Sequence, residues 1–128
     1  MVRRAECCCG QCWITVEGEP EINGICHCDD CRKGTGTAFG WSAYFPDGQV
    51  LQRSRETMAY QVSGDHLQIR YFCSRCASTL YWTTESMSGL TGISGGSFVD
   101  IPLPEPQLSL RTGNACPWIA FPEDWELR

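Results

Sequence analysis

Ile25-Cys26-His27-Cys28-Asp29-Asp30-Cys31-Arg32-Lys33 places three thiols within six positions, in the pattern C-x-C-x-x-C. A short segment that curls back on itself can bring all three sulfurs onto one soft metal ion. The fourth tetrahedral corner then stays open, as in a working zinc site rather than a closed structural one. The cluster follows a strand-like run from Glu21 to Cys26, and Gly34 and Gly36 are expected to stop a single helical turn over Asp29 to Lys33. His27 sits between two ligands on an extended stretch, so its ring is directed away from the face they share, which makes it an awkward fourth ligand.

Outward from this cluster, the sequence holds a second thiol set. Cys7 and Cys9 are two apart, so on an extended segment both point the same way while Cys8 points the other. Cys73-Ser74-Arg75-Cys76 is a C-x-x-C knuckle whose tight turn can place both sulfurs on one ion. Together they make a four-thiol set with no open position, which would tie the N-terminal segment to a distant hairpin and add directly to folding stability. A competing register exists, because Cys9-Gly10-Gln11-Cys12 is also C-x-x-C and would pair with the knuckle as a zinc ribbon, leaving Cys7 free. Spacing does not separate the two. Strand alternation favours the first, since Cys12 continues an inward face with Ile14 and Val16.

Other readings of the cysteines are open at this point. The three-thiol set could be a structural site completed by His27 or a spare cysteine. An iron–sulfur cluster would want one more thiolate than the run supplies. A disulfide scaffold lacks a secretory context. Cys8, Cys12 and Cys116 have no partner at motif spacing and read as small buried hydrophobes.

The rest of the chain reads as strands and turns. Residues 1 to 18 form a hairpin or two short strands broken near Cys9-Gly10, and Thr37 to Phe45 is an aromatic-rich strand ending at Pro46-Asp47-Gly48. Further strands are expected at Val50 to Arg53, Thr57 to Val62, Leu67 to Phe72, Thr79 to Thr83 and Leu108 to Arg111. A turn is expected at Ser63-Gly64-Asp65, with His66 a solvated loop residue beside it, and the stretch from Gly89 is glycine-rich. At 128 residues with 13 Gly and 7 Pro, the expectation is one domain over 1–128, mainly β with little helix.

Composition bounds the function. A net charge of −5, with no Lys/Arg run and no aromatic-basic interleaving, argues against nucleic acid as the main partner. No apolar stretch approaches the length of a membrane span and the start lacks an apolar signal core, so a cytoplasmic location is expected. In that reducing compartment ten cysteines serve better as metal ligands or reactive thiols than as disulfides.

Three blocks carry a resemblance: Cys7-x-Cys9-Gly10; Cys26-His27-Cys28-x-x-Cys31-Arg32-Lys33 with Gly36-Thr37-Ala38-Phe39; and Phe72-Cys73-x-x-Cys76-x-x-Thr79-Leu80. With Gly89 to Asp100 and Pro117-Trp118, they make the chain similar to the glutathione-dependent formaldehyde-activating family, which includes centromere protein V-like proteins, over nearly its whole length. The resemblance implies an Mss4-like β fold, a structural zinc on Cys7, Cys9, Cys73 and Cys76, and a catalytic zinc on Cys26, Cys28 and Cys31. It also implies the first register, because the family places its Gly where Gly10 stands. Ala77 stands where the family commonly has Gly, so the backbone there is expected to manage without positive φ.

The function so implied is that of a carbon–sulfur lyase-type enzyme, in which a thiol such as glutathione adds reversibly to formaldehyde or another small aldehyde. Phe39, Trp41 and Tyr44 are candidates to line the pocket, Arg32 and Lys33 to offset the anionic centre or hold a substrate carboxylate, and His27 to relay a proton. The competing classes are a non-catalytic zinc module that binds another protein and a thiol-based redox or metal-handling protein.

Overall fold

The structure is a computed structural model that describes residues 1–64 and 67–128. The Asp65 end of the expected turn and the loop position of His66 lie outside the described residues. Eleven strands and one α-helix are present among them: β1 Val2–Glu6, β2 Trp13–Glu17, β3 Ile22–Cys26, α1 Asp29–Thr35, β4 Gly40–Pro46, β5 Val50–Arg53, β6 Thr57–Val62, β7 Gln68–Cys73, β8 Thr79–Thr84, β9 Leu90–Ser94, β10 Leu108–Leu110 and β11 Glu126–Leu127. The all-β expectation holds. None of the described helices is long and apolar enough to cross a membrane.

The strands form two sheets, one of three strands in the order β1-β2-β5 and one of eight in the order β11-β10-β3-β4-β9-β8-β7-β6. All neighbours are antiparallel except that β10 runs parallel to both β3 and β11. Alternation explains how the sheets meet. Cys12, Ile14 and Val16 are fully buried, as the period of two predicts, and with Ala5 they pack against Ala43, Phe45, Leu80, Tyr81, Ile93 and Phe98 of the larger sheet and the loop after it.

The opposite face of the large sheet has a different character. Residues paired across strands share a face, so the pairs Cys26 with Gly40, Ser42 with Ser94, Tyr44 with Gly92, Gly92 with Trp82, and Trp82 with Arg70 define one continuous surface across five strands. The helix α1 lies over this surface. Its sequence span is short because Gly36 caps it in the left-handed region (φ 67°), with its N–H donating to the Arg32 carbonyl at 2.8 Å.

Several expectations need correcting. Of the three cysteines read as small buried hydrophobes only Cys12 is buried, Cys8 being exposed and Cys116 half-buried. The helical turn does not stop at Gly34 but runs through it to Thr35, and β4 begins at Gly40 rather than Thr37. Hydroxyl bonds of Thr35 to Thr37 (2.7 Å) and of Thr37 to the Phe39 carbonyl (2.6 Å) hold that segment as a helix exit instead. The glycine-rich stretch contains a central strand, β9, and glycines in it and just after it leave room for rings: a Cβ at Gly92 would lie 2.2 Å from Trp82, and one at Gly95, the residue following the strand, 2.3 Å from Trp41. Finally, Ala77 does adopt positive φ, at 66°. Its N–H donates to the Cys73 carbonyl at 2.9 Å while the Cys73 N–H donates to the Ser78 carbonyl at 3.0 Å, so closure of the knuckle imposes the conformation whatever residue stands there.

Candidate active site

All ten cysteines are free thiols, and seven of them gather into two groups. In the first, the sulfurs of Cys7, Cys9, Cys73 and Cys76 all lie within 4.8 Å of one another. Cys7 follows β1, and Cys73 ends β7, so this group joins the small sheet to the β7–β8 hairpin. Backbone N–H groups aim at the sulfurs: Cys12 donates to Cys7 Sγ at 3.2 Å and Arg75 to Cys73 Sγ at 3.3 Å. Cys76 is held down at about 5, first by the Ser78 hydroxyl, and Cys73 is lowered, first by the Cys76 backbone N–H. Cys12 stands outside the group, buried beneath it, as the first register requires.

The second group is Cys26, Cys28 and Cys31, again with every sulfur within 4.8 Å of the others. Cys26 is the last residue of β3, Cys28 is the N-cap of α1, and Cys31 lies in the first turn of that helix. The cap is made by sulfur: Cys28 Sγ accepts from the Cys31 N–H at 3.3 Å, which fixes the thiol where the helix begins. Cys26 is pulled down to about 5, chiefly because the Cys31 thiol donates to it, and Cys31 is correspondingly pushed up by that donation and by burial. Three clustered sulfurs thus share protons unless a soft cation takes their place.

His27 is fully buried and outside both groups. Its Nε2 lies 3.1 Å from Ser109 Oγ, and its ring meets Phe39 and Phe121 edge-on at 5.7 and 5.5 Å. Burial lowers its pKa, keeping the ring neutral. The ring therefore braces the backbone between two thiols rather than offering a ligand, and Phe39 belongs to this packing.

A cavity of about 370 Å³ opens beside Cys31, between α1 and the polar face of the large sheet. Trp41 and Tyr44 line it, as expected for two of the three aromatics. Arg32 and Lys33 do not. Trp82 and Arg70, which sequence reasoning passed over, do line it. A signal existed in the placement of a lone charged residue at the alternate position of the apolar run Ile69-Arg70-Tyr71.

The cavity floor is ordered by one hydrogen bond. The Trp82 indole N–H, which can only donate, donates to the Tyr44 hydroxyl at 3.0 Å, with the two rings edge-to-face at 6.1 Å. Tyr44 oxygen is thereby committed as an acceptor on that side, and its own O–H is turned to find an acceptor elsewhere. Burial raises the Tyr44 pKa, so that proton stays in place at neutral pH.

Comparison with known proteins agrees with this geometry. A crystal structure of a Rhodobacter sphaeroides protein from a structural genomics programme has a similar fold, with a TM-score of 0.61 at 18% identity over 77% of this chain and 89% of that one. A Halomonas elongata protein named "Putative glutathione-dependent formaldehyde-activating enzyme" is 30% identical over 127 residues, covering 93% of this chain and 80% of that protein. The family described as glutathione-dependent formaldehyde-activating enzyme matches residues 2–114, and this chain belongs to it.

Proposed function

We propose that the protein is a zinc-dependent carbon–sulfur lyase-type enzyme that activates a thiol, glutathione first among candidates, for reversible addition to formaldehyde or another small aldehyde. The observation that carries this reading is the juxtaposition of a three-thiol group with a cavity: Cys26, Cys28 and Cys31 converge within 4.8 Å, and Cys31 also lines the space.

The donor sets suit zinc. Sulfurs about 2.3 Å from a tetrahedral ion stand about 3.8 Å apart along each edge. In the four-thiol group Cys7 to Cys9 and Cys9 to Cys73 are both 3.7 Å. Cys7, Cys9, Cys73 and Cys76 would hold a closed ion, and Cys26, Cys28 and Cys31 one with a position to spare. When bound at the three-thiol set, zinc supplies a site where an incoming thiol loses its proton more readily.

What the chain itself contributes is placement and a proton. The cavity holds the aldehyde against the thiol, and forming the C–S bond moves the carbonyl π electrons onto oxygen, which must then be protonated. Tyr44, whose O–H has no acceptor among the described residues, gives its proton to that oxygen, and the proton lost by the thiol restores the phenol through solvent; in the reverse direction the adduct hydroxyl returns its proton by the same route as the C–S bond breaks. A non-catalytic zinc module needs neither a free hydroxyl nor a cavity beside the thiols.

The test is metal stoichiometry with a glutathione titration on wild type and Cys28→Ser. Serine keeps an N-cap oxygen for α1, so the substitution removes a ligand without uncapping the helix. The expected result is two zinc ions falling to one, with glutathione binding lost. Two zinc ions and no thiol binding in either protein would sink the proposal.

A further inference from the structure

Among the described residues lining the cavity, Arg70 is the only cation and Asp30, exposed at the rim, the only carboxylate. Arg70 leaves β7 on the same face as Trp82, Tyr44 and Cys26, and its guanidinium reaches across to α1. There it lies flat against Gly34: a Cβ built at that position would stand 2.9 Å from Nη1 and 3.3 Å from Cζ. Gly34 is three residues beyond Cys31 in α1, about 4.5 Å along the axis. The guanidinium therefore packs against α1 one helical turn beyond Cys31, the thiol that lines the same cavity.

Its hydrogen bonding is incomplete. The Nε donates to Gln68 Oε1 at 3.3 Å, and among the described residues neither Nη group has a protein acceptor. The ion pairs among those residues are Arg3–Glu19, Arg4–Glu6 and Arg128–Glu126, and Asp30 is not within pairing distance of Arg70. Arg4 and Arg53 rest on the rings of Trp13 and Tyr81, whereas Arg70 has no such seat. A half-buried guanidinium whose two Nη groups have no acceptor among the described residues, in a chain of net charge −5, is matched to a planar anion that arrives from outside.

We propose that Arg70 reads a carboxylate of the incoming thiol, so that the site selects thiols carrying a carboxylate over neutral ones. The inference rests on the reading of the site as thiol-activating. Gly34 is what admits the fork to the helix surface, and this explains a glycine inside a seven-residue helix, where propensity would exclude it.

The competing role for Arg70 is simply to offset the charge of the thiolates, which would affect every thiol alike. Glutathione and glutathione diethyl ester separate the two, because they share the thiol and the peptide and differ in the carboxylates. Binding and KM are measured for both compounds in wild type, Arg70→Met and Arg70→Lys, with zinc content and circular dichroism as controls. Wild type is expected to favour glutathione over the diester by roughly 10- to 100-fold. Arg70→Met is expected to abolish that preference, and Arg70→Lys to restore part of it, since it keeps the charge without the fork.

Equal losses for both compounds in Arg70→Met, or a wild type that does not distinguish them, overturn the inference while leaving thiol activation intact. A wild type that binds neither compound overturns the underlying reading of the site, and the inference with it. If Arg70→Met does not fold, Gly34→Ala decides: it displaces only the flexible end of Arg70, and a folded variant with an undiminished preference for glutathione counts against the proposal.

Discussion

Gly92→Ala should damage the cavity floor through a single methyl group. The added Cβ would lie 2.2 Å from Trp82 Nε1, 2.5 Å from Cε2 and 2.9 Å from Cδ1. Carbon contacts are comfortable only near 3.5–4.0 Å, so the ring has to move by roughly 1 Å or more. Gly92 lies in β9 between β4 and β8, so the backbone has little room to give. Moving the indole pulls its N–H off the Tyr44 hydroxyl, now 3.0 Å away. Overpacking costs about 1–3 kcal/mol and the lost bond about 1, against about 0.5 regained from a stiffer unfolded chain, for a net loss of about 1.5–3.5 kcal/mol. At roughly 3–5 °C per kcal/mol, the thermal midpoint should fall by roughly 5–18 °C. The control is Gly113→Ala, where nothing stands within 4 Å of the added methyl and the effect should stay within about 0.5 kcal/mol. Denaturant melts of both variants, repeated in a Trp82→Leu background, complete a double-mutant cycle. If Gly92→Ala costs the same with and without the indole, the clash is not the cause and the reasoning fails.

Ala77→Gly should stabilise the protein by about 0.5–1 kcal/mol, because relief of left-handed strain outweighs the added freedom of the unfolded chain; a lower midpoint in urea would count against it. Tyr44→Phe should retain zinc and glutathione binding yet lower kcat roughly 10²-fold for thiol–aldehyde addition, since the ring stays and only the proton donor goes. Unchanged kcat would remove Tyr44 from the chemistry. Cys73→Ser should lower the thermal midpoint by roughly 10 °C or more, and Cys28→Ser by only a few degrees, because one set closes the fold and the other faces a cavity; equal shifts would refute that division.

Legibility followed physical range. The period of two in Cys12, Ile14 and Val16, the strand at Val50–Arg53 and the knuckle at Cys73–Cys76 are local, and each appears where the sequence places it. The three-thiol group was legible for the same reason, whereas in the four-thiol group spacing left Cys7 or Cys12 open and strand alternation with the resemblance chose Cys7. What failed was decided by distant atoms. β9 was hidden because glycine reads as turn, whereas here glycine answers to the rings of Trp82 and Trp41. Gly34 inside α1 makes room for a guanidinium from β7, 36 residues away in sequence, a contact that local spacing does not show. Positive φ at Ala77 came from closing the knuckle, a demand that overrode the residue's own preference. The far wall of the cavity, with Arg70 and Trp82, could not be placed before the strand order was known.

That strand order also couples the two cysteine sets. β7 carries Arg70 and ends at Cys73, the knuckle Cys73–Cys76 turns the chain, and β8 then carries Trp82. The four-thiol group therefore anchors the hairpin whose two strands supply the cavity wall opposite Cys31. Burial alone does not separate the two sets, since Cys7 and Cys73 are buried but Cys9 is exposed and Cys76 half-buried, while Cys26, Cys28 and Cys31 are all half-buried. What differs is that Cys31 lines the cavity and none of the four does. The register of a hairpin pinned at its tip is fixed along its length, so the placement of Arg70 opposite the three-thiol group is inherited from the four-thiol set. Loosening Cys73 would thus reach the cavity through the position of Arg70 and Trp82, without touching any of the three sulfurs beside it.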